Sequence, residues 1–101
     1  YMGVRYIILN KEISKARDIE VDYGALIVGD DEPAVVDGSP AQKAGIKEGD
    51  IILEINGEKI TENNSLAKII SKYNPFESLN LKILRDGQEI YLNIILGEWE
   101  E

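Results

Sequence analysis

The run Gly38-Ser39-Pro40-Ala41-Gln42-Lys43-Ala44-Gly45 constrains this chain more tightly than any other stretch, because it specifies both ends of one very short helix. Ser39 reads as the N-cap, Pro40 takes the first helical position where no N–H is needed, and Gln42 is expected to reach back to the cap. Gly45 supplies a left-handed residue that stops the helix, so Pro40 to Ala44 makes barely two turns with Ile46 folded against it. Lys47-Glu48-Gly49-Asp50 then turns into the strand Ile51-Ile52-Leu53-Glu54-Ile55, and Asn56-Gly57, the strongest short hairpin signal, returns the chain through Glu58-Lys59-Ile60. These glycines and the Asn-Gly pair answer to backbone geometry, so they imply fold rather than chemistry.

The other elements follow from capping and periodicity. Asn10 is expected to cap a helix over Lys11 to Asp18, with Ile13 and Ala16 on one side, after which Ile19 and Val21 return to the core. Gly24-Ala25-Leu26-Ile27-Val28 reads as a buried strand, Gly29-Asp30-Asp31-Glu32-Pro33 as a solvated turn, and Ala34-Val35-Val36 as further extended chain. The acidic turn lacks the alternating oxygen ligands and distal glutamate of a calcium loop, and no metal or cofactor is expected. Leu66, Ile69, Ile70 and Tyr73 fall at i, i+3, i+4 and i+7, one apolar stripe on a helix from Ser65 to Tyr73 that must end before Pro75. Ser78 to Arg85 and Gln88 to Leu96 alternate apolar and polar residues around Asp86-Gly87, a half-buried hairpin.

At 101 residues the chain is one domain with one core. Nineteen acidic against eleven basic residues give a net charge of −8, the wrong sign for neutralising phosphates, so nucleic acid and anionic membranes are excluded as expected partners. The chain has no His and no Cys, which removes imidazole- and thiolate-based nucleophile pairs, zinc sites and disulfides. An independent enzyme working through carboxylates has no support, since no acidic pair stands in a recognisable acid–base spacing.

The start of the chain is where binding chemistry is expected. In Tyr1-Met2-Gly3-Val4 a glycine precedes a β-branched and aromatic strand, Arg5-Tyr6-Ile7-Ile8-Leu9. Such a glycine lets successive N–H groups converge on one small concavity, which suits a carboxylate. Val4, Tyr6 and Ile8 point one way and Ile7 and Leu9 the other, so the strand needs cover on both sides, one face on the core and the other on a groove. The stripe on the Ser65–Tyr73 helix is the second wall that this strand calls for.

Gly38 to Gly57, twenty residues in register, closely resembles the signature of a PDZ domain, and Tyr1-Met2-Gly3-Val4 resembles its carboxylate-binding loop in the form found in bacterial HtrA/Deg-type, DegP-like, serine proteases. Leu84-Arg85-Asp86-Gly87 is also typical of the bacterial type. The resemblance covers Tyr1 to about Leu96. It implies a mainly β fold with two to three short helices, a PDZ-like partly open barrel or sandwich of five to six strands, in the circularly permuted order that puts the ligand strand first. The domain is expected over 1–97, with 98–101 as a tail. Gly29 to Pro33 departs from the family pattern as a small insertion, and Gly97-Glu98-Trp99-Glu100-Glu101 has no counterpart; Trp99 reads as part of a linker, with docking into a neighbouring groove as the alternative.

The resemblance further implies that a C-terminal or extended, unfolded peptide segment adds as an antiparallel strand beside Val4 to Ile8, with its carboxylate on the N–H groups of Met2, Gly3 and Val4. Its last side chain would enter a pocket lined by Met2, Val4 and Leu66, with Ile69 and Ile70 as further candidates, although part of the stripe must face the core. Tyr1, Arg5 and Tyr6 are candidate peptide contacts, or else plain surface and core. A charged residue at Leu66 is expected to abolish binding and leave the fold intact. The chain itself has no catalytic residues. It reads as a segment of a longer protein, the substrate-binding or regulatory module of a cell-envelope or periplasmic serine endopeptidase, with the catalytic protease domain in the same parent chain, that parent trimeric and the isolated domain a monomer. Other possible hosts are a tail-specific protease, a site-2-type membrane metalloprotease or a secretion component; a purely structural interaction domain is the remaining class.

Overall fold

The computed structural model describes residues 1–98. Six strands and three helices follow one another as β1 (Tyr6–Ile8), α1 (Lys11–Ala16), β2 (Ala25–Ile27), α2 (Pro40–Ala44), β3 (Ile51–Ile55), β4 (Glu58–Lys59), α3 (Leu66–Ile70), β5 (Ser78–Arg85) and β6 (Gln88–Ile95). All strand pairs are antiparallel and form a single open sheet in the order β1-β2-β3-β5-β6, with β4 appended to β3. The mainly β fold with short helices is thus the one expected.

Local chemistry places most of these elements. Asn10 caps α1 by accepting from the Ile13 N–H at 2.8 Å, and Ser65 caps α3 by accepting from the Lys68 N–H at 3.2 Å. Ser39 caps α2 through the Gln42 N–H at 3.2 Å, Pro40 opens the helix and Gly45 closes it in the left-handed region. The Gln42 side chain, however, reaches one residue beyond the cap: its Oε1 accepts from the Gly38 N–H at 2.6 Å, because the Ser39 N–H is already bonded to the Val36 carbonyl. Asn56-Gly57 and Asp86-Gly87 both take positive φ at each position, the two-residue turn that matches the twist of a hairpin.

The sheet is covered on both faces over β1 to β3, with β2 and β3 mostly buried and β1 half-buried. One face carries the main core, in which Ile27, Ile52, Ile55, Leu79, Leu81, Ile83 and Ile94 pack against Ala41 of α2 and Leu66 and Ile69 of α3. The other face carries a second cluster, Leu9, Leu26, Ile51 and Leu53, covered by Ile13 of α1 and by Ile19, Val21 and Tyr23. A bulge lets β3 serve both: the pairing of Ile52 with Ile83 and of Ile55 with Leu81 skips Leu53, so three inter-residue steps on β3 match two on β5 and Ile55 regains the face of Ile52. The opposite side of β5 is solvated, where Lys82 pairs with Glu54 at 3.6 Å and Glu89 at 3.5 Å; Glu54 first and Glu89 second hold the Lys82 ammonium pKa above its ordinary value.

β1 departs from expectation in one respect. Val4, Tyr6 and Ile8 do pack on the main core, but the opposite face, with Ile7 and Leu9, meets the second cluster rather than a groove. The groove instead lies along the free edge of β1, since β2 occupies only one side of that strand.

Candidate functional site: a groove along the edge of the first strand

The groove is built by two loops and a helix. Met2 and Gly3 are pinned through their carbonyls, which accept from the Ala41 N–H of α2 and the Val36 N–H, each at 2.9 Å. With the carbonyls turned inward, the N–H groups of Met2, Gly3 and Val4 donate to no other group among the described residues. Gly3 holds this turn at φ +84°, and a Cβ there would lie 2.3 Å from that of Ser39, so the cradle and the cap of α2 fit only around a glycine.

Beyond the cradle the chain alternates. The Arg5 N–H donates to the Ala34 carbonyl and the Arg5 carbonyl accepts from Val28, so Arg5 and Ile7 turn their peptide groups toward the sheet interior. The backbone groups of Val4, Tyr6 and Ile8 therefore face outward, spaced for another antiparallel strand. Alongside this edge runs a groove of about 620 Å³ lined by Tyr1, Met2, Gly3, Val4, Arg5, Tyr6, Val36, Leu66, Ala67 and Ile70.

The structure gathers eight of the nine residues expected at such a site: Tyr1, Met2, Gly3, Val4, Arg5, Tyr6, Leu66 and Ile70. Ile69 is the exception. It is 0% exposed and sits in the main core, because the inward face of so short a helix is the row Leu66–Ile69, and the groove meets the helix one step around, at Leu66, Ala67 and Ile70. Two lining residues were missed: Ala67, exposed and small enough to leave the channel open, and Val36, whose extended run carried no mark of the site. Leu66 belongs to both groove and core at 2% exposure, so a charge there threatens the fold as well as the groove, contrary to the sequence expectation. No group of three or more potential metal-ligating side chains occurs among the described residues. Trp99 lies outside them.

An open strand edge, a glycine-formed amide cradle and an apolar helix wall together are the hallmarks of a peptide-recognition fold, and the PDZ domain family model matches residues 1–96. The chain belongs to the PDZ domain family. It is 37% identical over its full 101 residues to a protein of Bartonella henselae named as a probable periplasmic serine endoprotease, DegP-like, and 35% identical over 96 residues to one of the same name from Marinomonas; each match covers 19% of the relative. The chain thus spans about a fifth of the length of the curated relatives it matches. In fold it is similar to the HtrA-type protease AlgW with a decapeptide, at a TM-score of 0.77 and 23% identity over 96% of this chain and 28% of that one. It is similar also to the HtrA3 PDZ domain bound to a phage-derived ligand, FGRWV, at 0.74 and 24% over 94% of this chain and 82% of that one.

Proposed function

We propose that this PDZ domain captures the C-terminal ends of polypeptides by strand addition, as the substrate-binding or regulatory module of a periplasmic DegP-like serine endoprotease. The observation that carries this reading is the set of three N–H groups, on Met2, Gly3 and Val4, that find no acceptor among the described residues and stand at the head of an apolar groove beside a free strand edge. Such groups are costly to leave unpaired once water is excluded and are suited to a carboxylate. The peptide runs antiparallel to β1, exchanging main-chain bonds with Val4, Tyr6 and Ile8, and its last side chain lies between Val4 and the wall formed by Leu66, Ala67 and Ile70. The relatives' names supply the protease and the periplasm, and two solved neighbours hold peptides.

The test is a fluorescence titration with a labelled peptide ending in a free valine carboxylate and with its C-terminal amide. Hydrogen bonds to a charged group contribute about 1.5–3 kcal/mol, so the amide is expected to bind roughly 10- to 100-fold more weakly. Ala67→Arg, at an exposed position, fills the groove from the helix side; binding is expected to vanish with the unfolding midpoint unchanged. Equal affinity for acid and amide overturns the carboxylate cradle. The proposed parent is tested separately by the coding sequence upstream, which should carry a Gly-x-Ser-Gly-Gly protease motif.

A further inference from the structure

Resting on that reading, we infer that the groove discriminates at the penultimate residue of its peptide and prefers a lysine or arginine there over an acidic residue. With the carboxylate at Met2–Val4 and the peptide antiparallel to β1, its last residue stands beside Val4 and the one before it beside Arg5. Side chains on adjacent strands share a face, so the penultimate side chain projects on the outer side with Arg5, away from the apolar wall.

Arg5 does not face that position as a free cation. Its Nη1 donates to the Pro33 carbonyl at 2.7 Å and its guanidinium pairs with the Glu32 carboxylate. The pair ties the segment from Gly29 to Pro33, which leads into Ala34 on the β2 flank of β1, to the Arg5 side chain, through which its charge reaches the side of the peptide. The segment is tightly folded: a Cβ on Gly29 would lie 2.0 Å from the Glu32 carbonyl oxygen, so the turn closes only around glycine. Asp30, Asp31 and Glu32 are all exposed, and the Glu32 side chain keeps 65% of its surface open to an incoming charge. Glu32 thus offsets the charge of Arg5, and Asp30 and Asp31, next to Glu32 in the same exposed turn, add two negative charges with no ion-pair partner among the described residues. On the opposite wall Lys72 is paired with Glu58, whereas Lys68, bonded to the neutral Asn63 carbonyl, keeps its charge on the far side of the groove from Arg5. The segment that departs from the family pattern in sequence is therefore the one that sets the sign of the field along the peptide's outer side.

The experiment uses four peptides, Gly-Ser-Ala-Ala-X-Val with X as Lys, Ala or Glu and a free carboxylate, and the Ala form as its amide. Titrated at low salt, the order of affinity is expected to be Lys, then Ala, then Glu, with about three- to tenfold between the extremes, the range set by exposed charge pairs. The spread should close toward one at about 1 M salt, where screening acts within roughly 3 Å. In the triple variant Asp30→Asn, Asp31→Asn, Glu32→Gln, whose folding is checked by its unfolding midpoint, Arg5 is left as the local charge and the order should level or invert. Equal affinity of the Lys and Glu peptides for the unmodified protein, or a Lys preference that survives the triple variant, overturns the inference. The Ala peptide and its amide keep the two claims apart: a free-acid preference without a Lys preference defeats only this inference, whereas equal binding of acid and amide defeats the underlying reading too.

Discussion

Asp50 reads in the sequence as one half of a Gly-Asp turn, and in the structure it is the one buried charged residue among the described residues. At 2% exposure its Oδ1 accepts from Arg85 Nε at 2.8 Å, and its Oδ2 accepts from Arg85 Nη2 at 2.7 Å and from the Lys47 N–H at 2.9 Å. Arg85 Nη2 also donates to the Gly45 carbonyl at 2.7 Å, tying the end of α2 to the β5–β6 hairpin. The hydrogen bonds that Arg85 donates to Asp50, ahead of the carboxylate's charge, hold the guanidinium pKa above its usual value. Breaking a fully buried pair costs about 3–5 kcal/mol, and because the Arg85 side chain is 27% exposed the cost here is expected to be nearer ~2–3 kcal/mol. Asp50→Asn should lower the unfolding free energy by that amount in a denaturant titration. Replacing both partners with apolar residues should cost less than replacing Asp50 alone, since no charge is then left unpaired.

Among the elements, α3 forms the wall of the groove, and a small polar network joins its end to β4. The Glu58 carboxylate accepts from Asn64 Nδ2 at 2.8 Å and pairs with Lys72, just past the end of α3. Hydrogen bonds from Lys72 first and Asn64 second hold the Glu58 carboxyl below the ordinary carboxylate range. A depressed folded-state pKa means that the stabilisation is fully present above the ordinary carboxylate pKa and is lost as pH falls through the folded value. The unfolding midpoints of Glu58→Gln and the unmodified protein should therefore differ slightly at pH 7 and draw together as the pH falls below the ordinary carboxylate range; a constant difference throughout would assign the effect to packing. The α3 helix also shows how far periodicity reaches. Leu66, Ile69, Ile70 and Tyr73 announced an amphipathic helix, and one forms. Its rotation about its own axis was not encoded locally, because a stripe of four apolar residues serves equally well with Ile69 toward a groove or toward a core. The sheet beneath settles the choice, taking Leu66 and Ile69 inward and leaving Ala67 and Ile70 to line the channel. Ala67 escaped notice for the same reason, since alanine on a helix carries no apolar signal strong enough to mark a wall.

For the whole molecule the net charge of −8 is the dominant long-range term. Like charges repel more in the compact state than in the unfolded one, and salt relieves that repulsion. Thermal unfolding should thus move upward by a few degrees between about 0.02 and 0.5 M salt, because exposed ion pairs such as Lys82 with Glu89 lose little when screened. A fall in melting temperature over that range would show that the pairs outweigh the net charge. Local residue patterns were enough to set the order and kind of the elements, from the short capped helix at Pro40 to the hairpins at Asn56-Gly57 and Asp86-Gly87, and the amide-bearing loop at Gly3. Those features are governed by sterics and hydrogen bonds among residues a few positions apart, which any stretch of chain carries with it. The assembled fold was needed to bring the second face of β1 onto a core under α1, Asp50 onto Arg85 across 35 positions, and Arg5 onto the Pro33 carbonyl 28 positions away. Such pairings depend on how the sheet twists and where its loops close, and no local pattern of residues specifies the partner.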